Sequence, residues 1–199
     1  VLPGYSLTYR DKDSELNINN GTYLQMLTQI GREGYGSDID FAKAVVEATL
    51  IRTFNNVHRI TIRGEAGVIK TNSFDEVPTS LRFYAGGDKS VRGFDYREIS
   101  PTAEVIDPET GELIVDSIGG KYLATSSVEY AYQVADNWRV AAFVDAGTAT
   151  NDTSTTLTYS VGPGVHWLSP IGPVRLYVAR GFAPDENTWQ LHILLGPEL

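Results

Sequence analysis

Apolar side chains occupy every second position over long stretches of this sequence, from Tyr5 near its start to Leu195 near its end. A period of two places neighbouring side chains on opposite faces of a β-strand, so such stretches favour sheet. They number about nine and lie at 5–10, 23–30, 38–53, 59–68, 122–132, 138–145, 157–167, 174–178 and 189–195. We therefore predict an all-β, antiparallel fold of about nine strands.

Residues 38–53 are the one stretch that also fits a helix, because alanines and other helix-compatible residues dominate it. The strict alternation of its apolar residues with Lys43, Glu47 and Thr49 nevertheless favours a strand, as do its β-branched residues. We predict a long strand here.

The connections between the predicted strands alternate in length. Short turns at 54–56, 134–137 and 169–173 interleave with longer links at 72–120, 148–155 and 182–187. Short turns on one side and longer loops on the other are typical of a transmembrane β-barrel, as are strands of about ten residues. Aromatic residues near strand ends fit the two interfaces of a bilayer, namely Tyr5, Tyr122, Tyr132, Trp138, Trp167 and Trp189.

A soluble β-sandwich or a lipocalin-like barrel, with the apolar face turned inward, is the alternative fold. The second face of the strands bears on this choice because it carries charges, namely Arg59, Arg63, Glu65, Glu129, Arg139, Asp145 and Arg175. In a membrane barrel these side chains face a polar lumen. A solvated outer face also accommodates such charges, so the pattern favours the membrane without excluding the soluble fold.

The composition excludes several classes of function. The chain has no cysteine, which rules out disulfides and thiolate metal sites. Its 25 acidic residues outnumber 16 basic ones, which argues against nucleic-acid binding. His58, His166 and His192 lie on separate predicted strands without ligand spacing. We expect no metal, no cofactor and no enzymatic activity.

The link at 72–120 is longer than a compact domain usually leaves without regular structure. A turn at 107–111 separates two short apolar runs at 104–106 and 113–115, which predicts a small hairpin. A glycine-rich stretch at 86–94 precedes this hairpin and contains Arg92, whose planar guanidinium suits a carboxylate partner.

Three sequence motifs resemble one family. The loop segment 81–94, Leu-Arg-Phe-Tyr-Ala-Gly-Gly-Asp-Lys-Ser-Val-Arg-Gly-Phe, resembles the loop signature of the bacterial outer-membrane assembly barrels, the superfamily of BamA and TamA. The segment 169–176 (Ser-Pro-Ile-Gly-Pro-Val-Arg-Leu) and the ending 195–199 (Leu-Gly-Pro-Glu-Leu) resemble the TamA branch in particular. The resemblance implies a protein of the bacterial outer membrane.

In the TamA branch that this chain resembles, a sixteen-stranded barrel is preceded by periplasmic POTRA domains. With about nine strands, residues 1–199 are expected to be the C-terminal part of such a barrel, with an inserted loop at 72–120 and no POTRA domain in this chain. A partial barrel has two unpaired edge strands. They could be covered in two ways, by self-association of two copies or by pairing with a missing half.

The resemblance also implies site residues. In this family the long loop folds into the lumen, so the loop motif Val91, Arg92, Gly93 and Phe94 is expected there, with Arg92 docked on Glu129 and Asp145. The alternation independently assigns both carboxylates to the polar face. In the alternative reading, these two acids instead form salt bridges with Arg59, Arg63 or Arg139.

The family implies a lateral gate between the first and last strands that admits client strands. The candidate gate strand has a run of alternate apolar residues ending in a glycine: Trp189, Leu191, Ile193, Leu195 and Gly196. Expected partners are the lipid bilayer, client outer-membrane proteins including autotransporters, and a TamB-like inner-membrane protein. The alternatives are a strand that merely closes the barrel, and a passive channel or two-partner secretion transporter.

Overall fold

The structure is a computed structural model and describes residues 3–35, 37–106, 111–152, 157–184 and 187–199. The described residues form these strands: β1 Gly4–Lys12, β2 Gly21–Gly31, β3 Phe41–Phe54, β4 His58–Thr71, β5 Thr102–Ile106, β6 Leu113–Ser117, β7 Tyr122–Ala135, β8 Trp138–Thr150, β9 Thr158–Ser169, β10 Gly172–Phe182 and β11 Asn187–Leu195. The ambiguous stretch at 38–53 is the strand β3.

A nine-stranded antiparallel sheet contains all of these strands except β5 and β6, in the order β1-β2-β3-β4-β7-β8-β9-β10-β11. The predicted all-β, antiparallel fold is confirmed. Within the described ranges, β1 pairs only with β2 and β11 pairs only with β10. The sheet is therefore a partial barrel wall with an edge strand at each end.

The two faces of the sheet differ in exposure as the alternation predicts. On β7, Ser127 and Glu129 are buried on the face that we call inner, whereas Val128 and Tyr130 are exposed on the outer face. The outer face carries an exposed apolar band formed by Val140, Val144, Val161, Val165, Leu176, Val178, Leu191 and Ile193. Polar and charged side chains lie on the inner face.

The connections separate by length. The turn side of the sheet has the tight connections, where Asn55 and Asn56 adopt φ values of 51° and 59° between β3 and β4; asparagine tolerates this left-handed conformation. The loop side carries the long link between β4 and β7. The expected turn at 169–173 is shorter than predicted, because Gly172 and Pro173 already pair with β9.

The long link packs onto the inner face of the sheet. It contains one turn of 3-10 helix, Thr79–Leu81, and the predicted hairpin, in which Glu104 pairs with Val115 and Ile106 with Leu113. Of the turn predicted at 107–111, residues 107–110 lie outside the described residues. Phe83 and Ala85 of this link are buried in an apolar cluster with Phe41, Ile69 and Leu123 of the sheet, among others. This packing brings the glycine-rich stretch toward the middle of the wall.

No helix in the part of the chain that the structure describes is both long enough and apolar enough to cross a bilayer.

Candidate functional site

The predicted loop motif is buried against the inner face of the sheet. Val91, Arg92 and Phe94 are 0%, 1% and 2% exposed, respectively. Burial of a whole guanidinium is costly unless its charge is paired and its N–H groups are hydrogen-bonded. The partners of Arg92 are therefore the centre of the candidate site.

Asp145 on β8 binds both the side chain and the backbone of Arg92. Its Oδ2 accepts hydrogen bonds from Nε at 2.8 Å and from the backbone N–H at 3.0 Å, and its Oδ1 accepts one from Nη2 at 2.8 Å. The side-chain pair is the bidentate arrangement that favours arginine over lysine. The additional backbone contact fixes the chain direction at the docking point.

Glu129 and Ser127 on β7 occupy the remaining side of the guanidinium. Nη1 donates to Oε2 of Glu129 at 2.6 Å, and Nη2 donates to Oγ of Ser127 at 3.2 Å. The structure thus brings Arg92 together with both carboxylates that sequence reasoning named. Arg59, Arg63 and Arg139, which the alternative reading assigned to these carboxylates, form hydrogen bonds with Glu198, Ser127 and Gln133, respectively.

Two aromatic rings complete the surroundings of Arg92, and sequence reasoning missed both of them. The Cζ atom of Arg92 lies 3.6 Å from the ring centroid of Phe143 and 4.5 Å from that of Tyr177. A guanidinium at such distances is attracted by the negative face of a ring. Both rings lie at inner-face positions of their strands. Their alternation in phase with Asp145 and Arg175 was the sequence pattern that could have predicted them.

The charge of Arg92 is stable in this site. Burial alone lowers the pKa of its guanidinium, but the hydrogen bond and charge of Asp145, helped by Glu129, raise that pKa above its ordinary value. The loop therefore carries a fixed cation into the barrel wall.

Gly93 and Phe94 pack against a glycine of the wall. Gly93 has φ of +94°, and a Cβ atom there would lie 2.9 Å from the backbone nitrogen of Gly181 on β10. A Cβ atom on Gly181 would in turn lie 2.6 Å from Cζ of Phe94. The close approach of loop and wall therefore requires glycine on both sides.

The candidate gate strand is β11. Its outer-face residues Trp189, Leu191, Ile193 and Leu195 are 64%, 61%, 57% and 75% exposed, respectively. Gly196 follows with φ of +96°, and its N–H donates to the carbonyl of Pro173 at 3.0 Å. The backbone conformation at Gly196 turns the chain away from the direction of β11.

The segment after Gly196 lies on the inner face and forms a second charged cluster that sequence reasoning missed. The carboxylate of Glu198 binds the guanidinium groups of Arg59 on β4 and Arg175 on β10, the latter at 2.6 Å. Arg59 and Arg175 were predicted to face the lumen, but no sequence pattern indicated where the chain after β11 would run.

A polar cavity of about 220 Å³ lies between the two clusters, lined by Arg63, Arg92, Glu129, Arg175 and Glu198 among others. Among the described residues, no group of three or more histidine, cysteine, aspartate or glutamate side chains is arranged to hold a metal ion.

A nine-stranded antiparallel wall with an apolar outer face, a charged inner face and a long loop folded onto that inner face defines part of a membrane β-barrel. The chain belongs to the Omp85 superfamily, because the model of the Omp85 superfamily domain matches residues 2–196.

Similar proteins carry the name outer membrane protein assembly factor BamA. The relative from Nitratidesulfovibrio vulgaris is 34% identical over 182 residues, covering 88% of this chain and 22% of that protein. The relative from Neisseria meningitidis serogroup B is 29% identical, covering 81% of this chain and 24% of that protein. This chain therefore spans less than a quarter of the length of either relative.

A solved structure supports the fold. BamA from Haemophilus ducreyi, lacking POTRA domains 1–3, superposes with a TM-score of 0.79 at 20% identity, covering 97% of this chain and 41% of that one. The sequence-based assignment to the BamA and TamA superfamily is confirmed. The narrower resemblance to TamA finds no support in these comparisons, in which the named relatives are BamA proteins.

Proposed function

We propose that this chain is part of an outer-membrane barrel that assembles or inserts other outer-membrane proteins. One observation carries the proposal: the loop around Arg92 docks on Glu129 and Asp145, while β11 remains an edge strand in the described sheet. The relatives named as BamA are assembly factors by name, which favours assembly over catalysis.

The outer face supports a location in the bacterial outer membrane. Its exposed apolar band is bounded by aromatic side chains on both sides. Trp138 stacks on Trp167 at the turn side, with 6.2 Å between ring centroids, and Tyr159 stacks on Phe182 at the loop side, with 5.0 Å. An apolar band between two aromatic girdles matches the hydrocarbon layer and its two interfaces. The lipid bilayer is thus the first partner of this surface.

β11 is the strand at which we place client entry. An edge strand presents unpaired N–H and C=O groups, and an incoming strand satisfies them by β-augmentation. In hydrocarbon such groups are costly when unpaired, so an exposed edge favours exchange with a client strand. Client outer-membrane proteins, autotransporters among them, are the proposed substrates.

Residues 1–199 are proposed to supply the C-terminal part of the barrel, with the remaining strands and any POTRA domains supplied elsewhere in the full-length protein. The BamA relatives favour a BamA-type role. A TamA-type role, with a TamB-like inner-membrane partner, rests on the motifs at 169–176 and 195–199.

The test is Arg92→Ala in the full-length protein, with client assembly and barrel folding measured separately. We expect client assembly to fall strongly while the barrel remains folded in the membrane. Unchanged assembly with a folded barrel would contradict the proposal. A large, steady single-channel conductance, in a protein whose removal leaves client assembly unchanged, would instead identify a passive channel.

A further inference from the structure

The inner face of β11 is bonded to the loop along most of its length. Thr188, Gln190 and His192 are its successive inward-facing residues, and each of them forms a hydrogen bond with the segment Asp88–Asp95. We call this segment the docking loop. The same segment carries Arg92 to the opposite part of the wall.

His192 is the centre of this contact and is 6% exposed. Its Nε2 accepts a hydrogen bond from the backbone N–H of Gly93 at 2.8 Å, and its Nδ1 donates to Oδ1 of Asp88. Because Gly93 offers a donor and Asp88 an acceptor, the two contacts fix which ring nitrogen carries the proton. Both ring nitrogens are thus committed to the docking loop.

Thr188 and Gln190 extend the contact toward the loop side. The hydroxyl of Thr188 donates to the carbonyl of Gly93, and Nε2 of Gln190 donates to Oδ1 of Asp95 at 3.1 Å. The backbone N–H and C=O groups of Gly93 are therefore both bonded to β11. Because these two contacts use backbone groups of Gly93, no change to a neighbouring side chain of the loop can supply them in its place.

The docking loop connects distant strands through adjacent residues. Arg92 binds β7 and β8, and Gly93 binds β11. In the sheet, β9 and β10 lie between these two attachment points. Because Arg92 and Gly93 are consecutive, displacement of β11 away from the inner face pulls directly on the docked guanidinium.

We propose that the docking loop is a latch that holds β11 in place, and that β11 moves only when its bonds to this loop break. The inference rests on the proposed role of β11 as the gate strand. His192, Gln190 and Thr188 are positioning residues in this scheme, since they act by holding the strand. Without the latch, β11 would be held by its ladder with β10 and by the segment that follows it.

Hydrogen exchange of the backbone amides of β11 tests the latch directly. It is measured on the full-length protein in lipid nanodiscs without any client. We expect His192→Ala to speed exchange in 187–195 about tenfold, the effect of losing a hydrogen bond to a charged group and its partner contact. Lys89→Ala, an exposed position of the same loop, is the matched control and should leave the exchange unchanged.

Arg92→Ala is the discriminating variant, because Arg92 binds β7 and β8. If the latch exists, removing its distal anchor also speeds exchange in 187–195. Faster exchange confined to the loop would overturn the proposal. If His192→Ala does not fold, Gln190→Ala replaces it with the same expected direction.

A cleavable crosslink supplies a second test. The chain has no cysteine, so Asp95→Cys with Gln190→Cys introduces a single pair that a short disulfide-containing crosslinker can join. We expect client assembly to stop when the pair is joined and to resume after reduction. Assembly that continues with the pair joined would overturn the proposal.

The two tests separate this inference from the proposed function. Faster exchange of β11 in a protein that assembles no client would leave the latch standing and remove the assembly function. Unchanged exchange in His192→Ala, in a protein that assembles clients, would remove the latch and leave the function standing.

Discussion

The guanidinium of Arg92 lies closer to the ring of Phe143, at 3.6 Å from its centroid, than to the ring of Tyr177, at 4.5 Å. Phe143 is 3% exposed and sits on β8 two residues before Asp145. Residues two apart on a strand share a face. β8 therefore presents one ring and one carboxylate to the same cation, and the two contacts act together.

Replacement of this ring should weaken the docking of the loop without removing any ion pair. We expect Phe143→Leu to lower the free energy of unfolding by about 1–2 kcal/mol through the lost cation–π contact and to increase protease cleavage in the loop. Phe182→Leu is the control, because Phe182 stacks on Tyr159 rather than Arg92. Equal loop cleavage in the two variants would contradict the prediction.

The two carboxylates that bind Arg92 should differ in importance. Asp145 is fully buried and accepts from Nε, Nη2 and the backbone N–H, whereas Glu129 accepts from Nη1. We expect Asp145→Asn to cost about 3 kcal/mol in the free energy of unfolding and Glu129→Gln about 1 kcal/mol. Urea titration of the refolded barrel measures both. The ranking fails if Glu129→Gln is the more damaging of the two.

The strands and their faces were within reach of sequence reasoning because each depends on a local period. Glu129 and Val128 lie on opposite faces for that reason alone. The contact of Arg92 with Asp145 was named in advance only because a family motif supplied the path of the loop; alternation assigned the face and left the partner open.

The contacts that were missed depend on sheet order and on the path of irregular backbone. The bond between Gly93 and His192 joins residues 99 positions apart, and no period relates a loop to a strand at that distance. Glu198 was missed for the same reason, since its arginine partners lie on β4 and β10. In both cases the sequence shows the residue types, but their contact partners depend on long-range packing that no local pattern predicts.

Loss of the charge on Glu198 should destabilise the segment after β11. Its carboxylate is the partner of two largely buried guanidinium groups, those of Arg59 and Arg175. We expect Glu198→Gln to lower the free energy of unfolding by about 2 kcal/mol, because two cations lose their counter-charge. Glu15→Gln is the matched control: Glu15 pairs with Lys12 but its side chain is 85% exposed, so a change below about 0.5 kcal/mol is expected. Equal losses of unfolding free energy in the two variants would show that burial does not determine the cost of removing the carboxylate charge.

A methyl group at Gly181 should displace the docking loop. A Cβ atom there would lie 2.6 Å from the ring of Phe94 and would also collide with the hydroxyl of Thr188, which binds Gly93. Overpacking of this kind costs about 1–3 kcal/mol and shifts the softer partner, which here is the loop rather than the sheet. We expect Gly181→Ala to speed hydrogen exchange in both the docking loop and β11 and, under the proposed function, to impair client assembly.

Gly64→Ala is the control for this substitution. Gly64 lies on β4, and the nearest atom to an added Cβ is the carbonyl oxygen of Thr125 at 3.6 Å, an ordinary contact distance. The two variants add the same methyl group to strands of the same sheet, so a difference between them reports the space beside Phe94. Hydrogen exchange by mass spectrometry resolves the two peptides, and unaltered exchange of β11 in Gly181→Ala would show that the ring of Phe94 has room to move.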